Sequence, residues 1–576
     1  MAQSPPAPRR RSFLASLTPR ARRLLLAAAG GAVVLAAVLA LVLATLAPQP
    51  SPAPTAPESA QAQPEPADPY RPVFHNTPPE AWMNDPQRPL LVDGVWQAYY
   101  LYNADHPHGN GTSWRRMSST DLVHWKDEGV AIEKFQNGLG DIETGTAFVD
   151  EEGTAGFGRG AVVAILTQQH DGVQRQSLFG SADGGRTFRS DTANPIMENP
   201  GQHDWRDPRV VRDEARGQWV MALAEGPKIG FYASTDLRSW TYTSGFESPG
   251  LGTLECPDLF ELTLDGDPQR PRWVLMAGAN GAAESRTTGT AYWVGQWDGK
   301  QFVPDQAQPS HRWADDGPDF YAALAWADPR VADQRASRYL MGWMNNWAYA
   351  RNVPTGAWMG ADSAVRTVRL VTDDGGARLA SEPVPALGDA EGAETTAEAQ
   401  TLSPGSPGSP GPPGPAFEAD QPGGGAFVLD TELTRGPGED RIEARIQLLA
   451  GGEPYATVGY DFARGQAFVV RDDAFARGDS GVWDNAAEAA GAAAARTPKE
   501  ASLEAYRALR TSPGEPGAET VRLRLYVDRS SVEVFVDGGR STLTALTFPP
   551  AGERSLRVEA VGGAVRMGTF RMAAVK

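Results

Sequence analysis

Ser119-Thr120-Asp121-Leu122-Val123-His124-Trp125 returns further along the chain as Ser234-Thr235-Asp236-Leu237-Arg238-Ser239-Trp240. Two weaker versions are Ser181-Ala182-Asp183-Gly184-Gly185-Arg186-Thr187-Phe188 and Trp297-Asp298-Gly299-Lys300-Gln301-Phe302. The aspartates at 121, 183, 236 and 298 are separated by 62, 53 and 62 residues. A polar turn that opens an aromatic strand, repeated about every 50 residues, is the pattern of propeller blades. Between the turns the chain reads as short strands. One example is Leu90-Leu91-Val92-Asp93-Gly94-Val95-Trp96, where Asp-Gly between apolar runs signals a tight hairpin. Five such units fit between residues 70 and 387, which predicts an all-β, five-bladed β-propeller; an irregular sandwich is the competing reading.

After this region a low-complexity stretch at 388–415 contains Ser403-Pro404-Gly405-Ser406-Pro407-Gly408-Ser409-Pro410-Gly411 and reads as a linker. Beyond it, Val521-Arg522-Leu523-Arg524-Leu525-Tyr526-Val527 alternates apolar and polar residues. So does Val532-Glu533-Val534-Phe535-Val536, which runs into an Asp537-Gly538-Gly539 turn. That period predicts half-buried antiparallel strands and a β-sandwich over 416–576. The Ala-rich piece 485–496 reads as a loop insertion with helical character.

The N-terminus predicts where the folded part resides. Residues 1–23 carry Arg9, Arg10, Arg11, Arg20, Arg22 and Arg23, and 24–47 is an uncharged run of 24 residues, long enough to span a bilayer. Residues 48–69, rich in Pro and Ala, form a spacer. An uncleaved membrane anchor with the bulk of the chain outside the cell is the expectation. Arg10-Arg11-Ser12-Phe13-Leu14 and Ala60-Gln61-Ala62 keep a cleaved export signal as the alternative.

Composition narrows the partners. A formal charge of −18 excludes a nucleic-acid backbone and disfavours a strongly acidic ligand, whereas a neutral polysaccharide is compatible. With one cysteine, Cys256, no intrachain disulfide forms. The 16 Trp and 14 Tyr are mostly core, with a few available to stack on sugar rings. No protein partner is implied.

Three carboxylates carry the chemistry. Asp85 lies in Trp82-Met83-Asn84-Asp85-Pro86-Gln87, Asp207 in Trp205-Arg206-Asp207-Pro208-Arg209, and Glu255 in Leu254-Glu255-Cys256-Pro257-Asp258-Leu259-Phe260. A proline restricts the backbone before it to extended forms, so each acid is held on a stiff, non-helical stretch. One alone is turn chemistry; three, each in a different blade, suit glycoside hydrolysis. That reaction needs an ionised nucleophile, a proton donor of raised pKa and groups that grip the flattening ring. Glu255 has the more apolar neighbours and is the better proton donor. Asp85 is oriented by Asn84, and Arg206 is expected to keep Asp207 ionised.

In this order the three motifs resemble glycoside hydrolase family 32, the fructan hydrolases and invertases. The resemblance covers roughly residues 70–576 and extends through Ser177-Leu178, Gly342-Trp343-Met344 and Val527-Asp528-Arg529-Ser530-Ser531-Val532-Glu533-Val534-Phe535. It implies a five-bladed propeller followed by a β-sandwich, with Asp85 as nucleophile, Glu255 as acid/base and Asp207 as transition-state stabiliser. It also implies sugar contacts from Asn84, Trp114, Arg206, Tyr321 and Trp343. Three departures surround the terminal sugar pocket: Gln87-Arg88 replaces the usual Asn-Gly, Leu101 replaces a glutamine, and Glu143-Thr144-Gly145-Thr146 replaces a Phe-Ser-Gly-Ser loop. Trp-Met-Asn-Asp-Pro-Gln together with Gly342-Trp343-Met344-Asn345-Asn346-Trp347-Ala348-Tyr349 is similar to the levan-directed subgroup, which acts on β-2,6-fructan. Gln87, Glu143 and Thr144 therefore join the candidate substrate contacts, Glu143 for a second fructosyl unit.

No metal or cofactor is required: His106 and His108 lack a zinc pattern, and Cys256 lacks a histidine partner for nucleophilic work. The reading is an extracellular, retaining hydrolase of levan that acts within chains or releases levanbiose. A levan fructotransferase, an exo-acting β-fructosidase of inulin or sucrose, an inverting arabinan hydrolase and a non-catalytic fructan-binding protein are the alternatives.

Overall fold

The computed structural model describes residues 68–107, 111–284, 286, 288–306, 311–373, 376–389, 391–404, 416–472 and 498–576. The expected membrane segment 24–47, nearly all of the spacer, His108 and the Ala-rich piece 485–496 lie outside them. Among the described residues no helix is long and apolar enough to cross a membrane.

Five antiparallel sheets of four principal strands follow one another. Their first strands are Ala81–Val92, Asp141–Asp150, Arg206–Asp213, Leu254–Thr263 and Tyr321–Trp326. These five lie innermost and touch in a closed ring, the last against the first. Trp358–Met359 also pairs in parallel with Ala81 and Trp82, tying blade five to blade one. The cores lie between blades. Tyr99 and Trp114 of blade one, for instance, pack with Ala147 and Val162 of blade two.

The repeated phrase is the turn from the third to the fourth strand of a blade. Asp121 Oδ1 accepts the backbone N–H groups of Val123 and His124 at 2.9 and 2.8 Å, and Ser119 Oγ donates to the same carboxylate. Asp183 and Asp236 do the same with their serines, and Asp298 caps Lys300 and Gln301. A short acidic side chain that mimics a backbone turn explains why aspartate recurs there. In the expected first hairpin, Val92 pairs with Val95 across Asp93 and Gly94, both at positive φ (50° and 79°).

The C-terminal sandwich is built on two long strands, Phe427–Ala450 and Arg554–Val575, paired along their length. The pairing breaks between Arg435 and Glu443, where the two backbones approach so closely that a Cβ on Gly438 would lie 2.3 Å from Gly563 Cα. The break lets one strand serve both layers around Leu429, Ile446, Leu525 and Val558. The linker expected from 388 is shorter than the sequence suggested. Glu391–Ala397 and Gln400–Leu402 pair with the last strand as a mostly exposed edge, where few apolar residues are needed to hold a strand.

Sandwich and propeller are locked by buried charge. Asp528 accepts from the N–H groups of Val73 and Phe74 and bonds a ring nitrogen of His75 at 2.9 Å. Glu533 takes the other ring nitrogen at 2.8 Å and pairs with Arg366, which also reaches Asp315 at 2.8 Å. Burial alone would lower the His75 pKa, yet its bonds to the two carboxylates push it up to about 9. The Arg366 charge holds Glu533 down at about 2 in spite of its burial.

Candidate active site

Every inner strand breaks register near its start. The irregularities fall between Asn84 and Pro86, Ile142 and Gly145, Glu255 and Asp258, and Tyr321 and Leu324. In blade three the break falls between Arg206 and Arg209, where Asp207 and Pro208 together face the single residue Leu223. Proline cannot donate to a ladder, so Pro86, Pro208 and Pro257 sit where the ladder is already broken. A bulge turns the side chain it carries out of the alternation and into the channel. Asp207, Cys256 and Ala322 adopt positive φ (62°, 47° and 47°), backbone strain that the closed ring sustains. The five strands thereby bring Asp85, Glu143 with Thr144, Asp207, Glu255 and Tyr321 to one mouth.

Asp85 is held on both oxygens. Thr144 Oγ1 donates to Oδ2 at 2.6 Å, the Cys256 thiol to the same oxygen at 3.3 Å, and Asn84 Nδ2 to Oδ1 at 3.1 Å. Asp207 accepts the Cys256 backbone N–H at 2.9 Å, and its own N–H donates to Thr167. Glu255 receives Tyr321 Oη at 2.5 Å on one oxygen and Arg206 at 2.8 Å on the other. Arg206 also pairs with Asp204 at 2.5 Å and lies 4.0 Å from Asp207. Trp82, which donates to Asn84, is packed against Trp347 and His106, forming the wall of a cavity of about 310 Å³ that Glu143 also lines.

Four carboxylates face one guanidinium, and the imbalance shows in the titration of Asp85, Glu143 and Asp207. Burial raises the Asp85 pKa, reinforced by the Glu255 charge and opposed by Thr144, Asn84 and Cys256. Burial with the charges of Asp207, Asp141 and Asp85 pushes Glu143 up to about 8. Asp207 rises to about 7, and here the expectation from sequence is corrected. Arg206 does favour its ionised form, but burial, Glu255 and Asp85 outweigh a guanidinium turned toward Glu255 and Asp204. The Arg206 charge itself is reinforced by Asp207 and Glu255 against its own burial.

Of the expected sugar contacts, Asn84, Glu143, Thr144, Arg206 and Tyr321 lie at the mouth. Three do not reach it. Gln87 is fully buried, its amide donating to the Asp85 carbonyl and accepting the Gly145 N–H. Trp114 is fully buried, stacked on Tyr99 and donating to the Glu143 carbonyl. Trp343 is fully buried and donates to the Met83 carbonyl. Each one buttresses the backbone beside a mouth residue, because its donor is already used beneath the surface. Sequence reasoning missed Trp82, His106, Trp347 and Arg351 as cavity walls and Cys256 as the donor joining Asp85 to Asp207. Trp347 had a signal, as a second tryptophan in the stretch already singled out; the others depend on packing. Among the described residues no cluster of His, Cys, Asp and Glu is arranged to hold a metal ion.

Comparison with known proteins follows the same division. The family model of the glycosyl hydrolases family 32 N-terminal domain matches residues 75–383, and that of the family 32 C-terminal domain matches 392–574. A levanbiose-producing levanase of Bacillus subtilis (strain 168) is 37% identical over 498 residues, which is 86% of this chain and 89% of that protein. A levanbiose-producing levanase of Geobacillus stearothermophilus is 47% identical over 307 residues, 53% of this chain and 77% of the other. The crystal structure of an exo-inulinase from Aspergillus awamori superposes with a TM-score of 0.72 at 28% identity, covering 88% of this chain and 99% of that one. With both family models matched in chain order on a five-bladed propeller and sandwich, the chain belongs to glycosyl hydrolases family 32.

Proposed function

We propose that this glycoside hydrolase cleaves β-2,6-linked fructan, levan, with net retention, acting within chains or releasing levanbiose. The observation that carries the chemistry is the convergence of Asp85, Asp207 and Glu255 on the bulged starts of three inner strands, those of blades one, three and four. Asp85 attacks the anomeric carbon of the fructosyl unit, while Glu255 delivers a proton to the departing oxygen. Water deprotonated by Glu255 then displaces Asp85 from the fructosyl-enzyme. Asp207 binds ring hydroxyls and strengthens that grip as positive charge develops. Arg206 and Tyr321 hold Glu255 from both sides, and Thr144 and Asn84 aim Asp85. Glu143, Trp82 and Trp347 line the space for a further fructosyl unit. The levan preference is supported by the two levanbiose-producing relatives and by the substituted Gln87-Arg88 and Glu143-Thr144 positions.

Transfer of the fructosyl group to a substrate hydroxyl instead of water uses the same residues and is distinguished by its products. Incubating the protein with levan and, separately, with inulin and sizing the products tests the reading. Short β-2,6 products from levan support it, and cleavage of inulin with levan untouched overturns it. Asp85→Ala and Glu255→Gln are expected to lower kcat by at least about a thousandfold; full activity in either variant removes the catalytic assignment. We also propose that the folded part acts outside the cell, tethered by residues 24–47 or released after cleavage of an export signal. The arginine-flanked uncharged run supports this, and related exo-inulinases of Aspergillus are named extracellular. The proposed division is a propeller over 70–387 and a sandwich that begins with the strand Glu391–Ala397.

A further inference from the structure

Away from the catalytic mouth, a second cleft runs between the connection joining blades four and five and the sandwich. Two adjoining cavities of about 310 and 230 Å³ share Tyr292, His311 and Arg312. Three aspartates occupy the connecting loop, and two are locked into the sandwich. Asp315 accepts from Arg366, Thr544 and Gly317, and Asp319 from Arg471, Tyr349 and Leu546. Asp316 differs. It is 6% exposed and lines the larger cavity, and among the described residues no hydrogen bond or ion pair reaches its carboxylate. Its oxygens open into the cavity instead of being sealed in the core, so a ligand lying there can complete its hydrogen bonding.

Its surroundings indicate what that is. Trp313 lies along the cleft beside His311, with ring centroids 5.0 Å apart, and Arg286 sits over its ring at 4.4 Å. Glu284 fixes both rings, accepting from Trp313 Nε1 and bonding His311 Nε2, each at 2.8 Å. Arg312 and Arg378 hold Asp373 at 2.9 and 3.2 Å and complete the polar wall. With both signs of charge in one cleft, an anion or a cation meets repulsion from half of it. A sugar hydroxyl donates to a carboxylate and accepts from a guanidinium, while the apolar face of the ring rests on an indole. Gly278, paired with Glu255 and abutting Tyr321, is three residues from Gly281, which abuts Trp313. Three residues of chain span at most about 11 Å, so Gly281 lies within roughly that distance of Gly278, the residue paired with Glu255.

We propose that this cleft is a second fructan-binding site that grips a stretch of neutral polymer away from the bond being cut, with Asp316 and Trp313 as its principal contacts. The proposal rests on the fructan reading above. Asp316→Asn and, independently, Trp313→Ala are tested in the full chain on polymeric levan and on levantriose. The expected result is a KM for levan raised about tenfold, as removal of one well-placed hydrogen bond or stacking face would give, with kcat/KM on levantriose unchanged. Retardation of the Glu255→Gln protein in a levan-containing native gel should weaken when either substitution is added. Equal losses on both substrates, which a merely structural role would give, overturn the proposal, as does a levan KM that does not move. A wild-type protein inert toward levan and inulin overturns the hydrolase reading and this proposal together; an active wild type with unaffected variants overturns this proposal alone.

Discussion

Replacing Thr144 by valine removes one oxygen and keeps the shape of the side chain. The lost Oγ1 supplies the shortest of the three side-chain hydrogen bonds to Asp85, 2.6 Å against 3.1 Å from Asn84 and 3.3 Å from the weaker thiol donor of Cys256. A hydrogen bond to a charged acceptor contributes about 1.5–3 kcal/mol, and Asp85 is a carboxylate whose pKa burial already raises. Without Thr144 the ionised form loses support and the pKa climbs further. With Asp85 as the proposed nucleophile, only its ionised fraction reacts on the acid limb of kcat/KM. The loss therefore appears there as about a ten- to hundredfold lower rate at the same pH. On the plateau above the limb the two proteins converge, because a fully ionised Asp85 needs no such support to carry its charge. The assay is the initial rate of reducing-sugar release from levan across pH 4–9 for the wild type, Thr144→Val and Thr144→Ser, the last restoring the hydroxyl. A profile for Thr144→Val that superposes on the wild type refutes the reasoning. So does one lowered by the same factor at every pH, which would mean that Thr144 only positions the strand.

Other consequences follow from the same electrostatics. The His75 pKa is raised in the folded state, so its stabilising contribution is fully present below its unfolded value near 6.5 and is lost as pH rises through about 9. Thermal melting from pH 6 to 10 should show that loss, and His75→Ala, which strands Asp528 and Glu533, should cost about 3–5 kcal/mol at pH 6 and flatten the alkaline decline. Glu143, pushed up to about 8, is a carboxylate whose ionisation opposes folding above its unfolded pKa. Glu143→Gln is therefore expected to raise the melting temperature at pH 9 and to leave it unchanged near pH 4, while weakening the levan KM; an unstabilised variant at pH 9 would show that the charge is already relieved.

The blade organisation was legible because four of the five blades repeat a local event. Asp121, Asp183, Asp236 and Asp298 bond backbone only a few residues away, so the turn is encoded in a short word and recurs with it. The acids were legible for a related reason: a proline one or two residues after each marks a break in a ladder, and that mark survives in one dimension. Less legible was the side of the strand on which a residue ends. Trp114 and Trp343 sit in the right neighbourhoods yet face inward, a matter of register across two strands. The edge strands at Glu391–Leu402 escaped notice because exposed strands need no apolar alternation.

Residue order alone thus established the blade repeat, the sandwich alternation and the three acids, since each is written in local backbone chemistry. Closure of the ring decided the rest. It set Cys256 between Asp85 and Asp207, turned Arg206 onto Glu255, and buried Asp207 deeply enough, beside Glu255 and Asp85, to lift it to about 7 against the guanidinium next to it in sequence. Charge interactions and burial depend on distance through space, and residues 85, 143, 207 and 255 acquire those distances only when five strands meet.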